Sequence, residues 1–223
     1  LLTVAHAVGQ HGLRRLLGRP DFGLLHELRY KVVGHYALDV AVQTPGVVMP
    51  YLVLVLLSPD TNAAFAAVWM LVSTASMIPA LAATALFPVV RADPTRYRRD
   101  LAVSLTMSLL FSLVCAVGIM AYSRPMLAFF NPAYPAIAGT DLRFIGLGLF
   151  GLSLKFHVCA LARLGDWMRS AARWFAIGAA LELASTVAGA RINGLEGLVL
   201  GWPLIVTLEG AASLVLFTSI SRL

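Results

Sequence analysis

Six long apolar stretches, at about 36–57, 62–90, 101–122, 140–162, 171–190 and 197–220, leave this chain few folds to choose from. Each has the ~20 residues a helix needs to cross the hydrocarbon core of a bilayer. The connections between them are too short to hold a soluble domain. The expected fold class is an all-α membrane protein, a six-transmembrane-helix bundle formed by residues 35–223. Residues 1–34 are expected to hold the tail of a preceding helix (Leu1–Val8) and a basic cytoplasmic connector (His11–Lys31) broken by Pro20 and Gly23.

Composition and charge agree with this class. Mean hydropathy is +0.82 and only 13% of residues are charged, too few to clothe a soluble particle. The net charge of +6 does not point to nucleic acid, because the basic residues gather on no single face or arm. They follow the positive-inside rule instead. Arg14, Arg15, Arg19, Arg29 and Lys31 precede the first stretch. Arg91, Arg96, Arg98 and Arg99 fill the second connection, Arg163, Arg169 and Arg173 the fourth, and Arg222 the end, so 13 of 17 lie on one side. Arg124, Arg143 and Arg191 lie on the other. Both ends of the chain are therefore expected in the cytoplasm. Cys115 and Cys159 fall inside apolar stretches, so no disulfide framework is implied, and no metal-ligand spacing occurs.

Polar residues fall on one face of each stretch. Asp39, Gln43, Gly46 and Pro50 share a face of the first. Trp69, Ser73, Ser76, Ala80 and Thr84 share one of the second, where Pro79 is expected to kink the helix. Ser104, Ser108, Ser112 and Cys115 align in the third; Gly148, Gly151, Lys155 and Cys159 in the fourth; Gly178, Glu182, Ser185 and Gly189 in the fifth. Such stripes serve either small-residue packing between helices or a polar interior. Residues 123–139 read as an outer segment with a short interfacial helix near Met126–Phe130, and Arg191–Gly197 as a tight outer turn.

Four charges lie within the spans: Asp39, Lys155, Glu182 and Glu209. A charge at mid-bilayer costs about 2.5–3.5 kcal/mol on insertion scales, so each needs a reason. Two reasons stand side by side. Lys155 pairs with Glu182 or Glu209 and fixes helix register, or these residues, with Asp39 and Gln43, line a hydrated cavity for a charged or sugar-like cargo or a proton. His157 and Arg143 read as a packed histidine and an interfacial anchor. There is no nucleophile elbow, phosphate-binding glycine loop, zinc-protease motif or Cys–His cluster. The expectation is a transporter without cofactor or metal, and not an enzyme.

Several segments in order resemble one family. They are Thr44-Pro45-Gly46 with Met49-Pro50, Ala64-Phe65-Ala66-Ala67-Val68-Trp69-Met70, and Met77-Ile78-Pro79 running to Phe87-Pro88 before a basic loop. Phe129-Phe130-Asn131-Pro132-Ala133-Tyr134 and Asn193-Gly194-Leu195-Glu196-Gly197 complete the set. Over residues 35–220 the chain resembles the polysaccharide-transporter, or lipid-linked oligosaccharide flippase, branch of the multidrug/oligosaccharidyl-lipid/polysaccharide exporter superfamily. Members have twelve or more helices in two lobes of six, and this chain looks like the C-terminal lobe, with the N-terminal lobe as its missing partner. The resemblance implies alternating access, a bacterial inner-membrane location, a surround of membrane lipids, and a lipid-linked oligosaccharide as substrate. Lys155 would meet phosphate or a carboxylate, and Glu182 and Glu209 would hydrogen-bond sugar or take up protons. A multidrug exporter of the same superfamily and a membrane-embedded sugar polymerase or ligase are the alternatives.

Overall fold

A computed structural model describes residues 22–165 and 167–220; the expected tail at Leu1–Val8 and much of the connector lie outside them. Among the described residues there is no strand. Helix α1 is Phe22–Leu56 and α2 is Pro59–Ala92; a single 3-10 turn, Pro94–Arg96, leads into α3, Tyr97–Phe130. The five-residue α4, Tyr134–Ala138, and a 3-10 segment, Asp141–Leu147, lead into α5, Gly148–Leu164. Helix α6 is Met168–Ile220. The chain divides into two compact units, Leu1–Gly34 and His35–Leu223. The described residues of the first, from 22 onward, are helical; the cores and the site described below lie in the second.

Among the described residues, five helical segments are long and apolar enough to cross a membrane: Val32–Leu56, Pro59–Val90, Tyr97–Phe130, Asp141–Leu164 and Met168–Phe217. Their outward surfaces carry Val47, Leu81, Val114, Leu181 and Ile192, all well exposed. So much contiguous apolar surface is untenable in water and suits lipid. Together these features make the chain an all-α, multi-pass membrane protein.

Local chemistry sets the helix ends. Ser58 caps α2 by accepting from the Thr61 amide, and Pro59 at the first helical position has no N–H to leave unsatisfied. Helix α2 then continues through Pro79 and Pro88. The third stretch breaks where the sequence predicts. Helical geometry is interrupted by a kink at Tyr122 (φ −118°, ψ 15°), and a second helical piece follows within α3 to Phe130. The kink has a cause three residues on, where Pro125 lacks the N–H that would bond the Ala121 carbonyl. Leu127, fully buried, anchors the last turns to the core.

Helix α6 has 53 residues, about 80 Å if straight, far more than a bilayer needs. It leaves helical geometry at Asn193 and at Gly194 (φ 58°, ψ −138°), a left-handed backbone that glycine adopts without a Cβ penalty. The two arms lie antiparallel. Gly189 abuts Gly197, Gly201 approaches Ser185, and Gly178 faces the Glu209 carboxyl. Trp174 donates to Ser213 Oγ at 2.6 Å, and Trp167, just before α6, stacks on Phe217.

Two apolar clusters hold the bundle. One joins Met49, Phe65, Trp69, Leu127, Leu142, Leu149 and Trp202. The other joins Leu38, Val158, Met168, Phe175 and Phe217.

Candidate functional site: a buried ionic triad beneath a polar-striped cavity

The fourth and fifth stripes of small residues bring α5 and both arms of α6 into close contact. A Cβ on Gly151 would lie 2.5 Å from the Val206 carbonyl oxygen, so these backbones meet where no side chain intervenes. That approach aligns Lys155 on α5 with Glu182 on the first arm and Glu209 on the second. Lys155 Nζ donates to Glu182 Oε1 at 2.5 Å and to Glu209 Oε2 at 3.0 Å. Lys155 is fully buried. Trp202 Nε1 donates to the second Glu182 oxygen at 2.7 Å, and the ammonium lies 5.4 Å from the Phe175 ring centre. Glu209 Oε1 is buried with no hydrogen-bond partner among the described residues. The pairing is thus not Lys155 with one glutamate or the other, but with both at once.

A second network binds α3 to α5. His157 Nδ1 donates to the Ser153 carbonyl at 2.8 Å, and Nε2 lies 3.0 Å from Ser104 Oγ. Ser112 and Ser153 hydroxyls meet at 2.8 Å. The serine stripe of α3 is therefore an interhelical seam. Hydrogen bonds of this kind between membrane helices contribute about 0.6–2 kcal/mol each.

Beside the triad lies a cavity of about 540 Å³. Asp39, Gln43 and Gly46 line it from α1, and Trp69, Ser73, Ser76, Ala80 and Thr84 line it from α2, so the stripes of the first two helices face a common space. Glu182 and Trp202 also line it, which places one triad carboxylate at its wall, whereas Lys155 and Glu209 lie behind. The Trp202 end is marked by a 4.9 Å edge contact with Trp69, whose Nε1 donates to the Gly46 carbonyl at 3.1 Å. At the other end Arg163, in the last turn of α5, donates to Asp39 Oδ1. Leu152 and Arg163 both line the cavity, eleven residues and therefore about 16 Å apart along α5.

Of the residues singled out in the sequence, Lys155, Glu182 and Glu209 come together, while Asp39 and Gln43 lie with Glu182 around the cavity. Sequence reasoning counted Arg163 among loop cations and missed its partner Asp39, and it did not single out Trp202. Among the described residues no group of three or more metal-ligating side chains is poised for a metal ion. No protein-family model, curated protein or solved structure matches the chain.

Proposed function

We propose that this protein is one six-crossing lobe of a bacterial inner-membrane transporter that flips a lipid-linked polysaccharide precursor. The single observation that carries the reading is the cavity: two membrane-spanning helices turn polar stripes toward one space large enough for a sugar–phosphate head group. The two arms of α6, each about 25 residues and folded back at Asn193–Gly194, serve as separate crossings, which makes six with the other four helices. The head group would cross through the cavity while the prenyl tail stays in lipid. Alternating access would come from rocking against a second lobe.

The test is deletion of the gene for the full-length protein. Lipid-linked oligosaccharide should accumulate and surface polysaccharide should disappear. Normal surface polysaccharide with no accumulated precursor would sink the reading. One observation favours a second reading: the cavity wall carries two carboxylates, Asp39 and Glu182, for one cation, with Trp69, Phe87, Phe156 and Trp202 around them. Those groups suit cationic aromatic drugs. Hypersensitivity of the deletion strain to such drugs, with polysaccharide intact, would establish the exporter instead.

The orientation follows from the arginines at Arg96, Arg98 and Arg99. Exposed Thr95 belongs to the cytoplasm and exposed Ala136 to the outside. On a background without Cys115 and Cys159, an impermeant thiol reagent added to intact cells should label Ala136→Cys and spare Thr95→Cys. The reverse pattern would overturn the orientation.

A further inference from the structure

Arg163 is the cation of the cavity wall, and its resident partner fills only part of its hydrogen-bonding edge. Nη2 donates to Asp39, while Nε is buried without a partner among the described residues. A guanidinium offers its donors as a planar fork that matches a phosphate or carboxylate at two points. Asp39 engages one prong and leaves the other empty. The two partners are also unequally committed. The Asp39 side chain is 49% exposed and that of Arg163 23%, so Asp39 is the less enclosed partner. An anion that fills both prongs takes its place while Arg163 stays enclosed.

The rest of the cavity narrows the ligand. Most of the wall is apolar, with Val42, Val72, Met77 and Leu152 among its residues, and the Trp69–Trp202 pair lines the end away from Arg163. Lys155 does not compete for the anion, since it lies behind the wall and is held by both glutamates. We propose that Arg163 is the phosphate-binding residue of the cavity and that Asp39 is its internal stand-in, displaced when a phosphate-bearing lipid enters. This rests on the transport reading and changes which cation carries it: the phosphate goes to Arg163, and Lys155 is left to the triad.

The experiment uses the purified full-length protein in detergent, with Trp69 and Trp202 fluorescence reporting cavity occupancy. The probes are a short-chain polyprenyl phosphate, the matching uncharged polyprenol and inorganic pyrophosphate. The polyprenyl phosphate should bind, and Arg163→Gln should weaken it roughly tenfold or more, the loss expected for a charge-assisted hydrogen-bond pair. Asp39→Asn should tighten binding, because the competing charge is gone while the site stays whole. A gain of affinity cannot come from misfolding, so this variant keeps the idea testable should Arg163→Gln fold poorly. Unchanged affinity in Arg163→Gln, or weaker binding in Asp39→Asn, overturns the proposal. Equal binding of the polyprenol overturns the phosphate assignment, and equal binding of pyrophosphate overturns the lipid assignment. The two readings fail separately. Arg163-independent binding in a protein whose deletion abolishes export removes this inference alone. Arg163-dependent binding in a protein whose deletion leaves surface polysaccharide normal removes the transport reading alone.

Discussion

Lys155→Ala is expected to cut the amount of folded protein in the membrane severely, whatever it does to transport. Among the described residues the substitution removes the one cation that meets Glu182 and Glu209, and it leaves two carboxylates facing each other in a buried site. Breaking a buried ion pair by removing one partner costs about 3–5 kcal/mol, and here one change strips two partners. The geometry also specifies the rescue. Lys155→Met with Glu182→Gln alone leaves Glu209 charged, and with Glu209→Gln alone leaves Glu182 charged, so either double change should restore abundance only in part. The triple change Lys155→Met, Glu182→Gln, Glu209→Gln removes every charge and should restore it most fully. Glu182→Gln can still accept from Trp202 Nε1 through its amide oxygen, so that contact survives. Membrane abundance and detergent monodispersity of the variants give the measurement. Normal abundance of Lys155→Ala would mean that the triad does not hold the bundle together.

The triad was legible in the sequence as Lys155 paired with one glutamate or the other, not with both, and the reason lies in the α6 hairpin. Folding the chain back at Asn193–Gly194 puts Trp202 beside Glu182 and Glu209 beside Gly178. A turn signal with two glycines was visible at Gly194 and Gly197, so the register could have been counted outward from it. What could not be counted was the reach of α5 between the arms, because that depends on Gly148 and Gly151 letting backbones touch. The stripes of α1 and α2 were legible as periodicity, yet periodicity does not distinguish a packed face from a cavity wall. Here it marks a wall. Arg163 was hidden for another reason. A basic residue at a helix end obeys the positive-inside rule whether it points into water or folds back onto Asp39, so its topological role masked its pairing. The break at Tyr122 was legible because Pro125 and the polar residues around it read as a helix stop, and the apolar turn after it, anchored by Leu127, resumes the helix.

Gly151→Ala should destabilise the protein strongly, while the same change at Gly118 should be neutral or mildly stabilising. Both glycines sit inside membrane-spanning helices, so the gain in helix propensity, about 0.5–1 kcal/mol in water, is common to the two. Their surroundings differ. A Cβ on Gly118 meets nothing within 4 Å. A Cβ on Gly151 falls 2.5 Å from the carbonyl carbon and oxygen of Val206 and 2.6 Å from the Thr207 amide nitrogen. These are backbone atoms of a continuous helical arm, which no rotamer change moves aside. The arm must shift bodily, and overpacking of this kind costs about 1–3 kcal/mol or more. The shift would also carry Glu209 away from Lys155, since both lie within a turn or so of the contact. The loss should therefore exceed the steric term, and it should shrink when the triad is already neutralised by Lys155→Met, Glu182→Gln and Glu209→Gln. A double-mutant cycle on thermal unfolding in detergent reads that coupling. Equal melting temperatures for Gly151→Ala and Gly118→Ala would show that α5 does not pack on the second arm at Val206, and the triad built on that approach would fall with it.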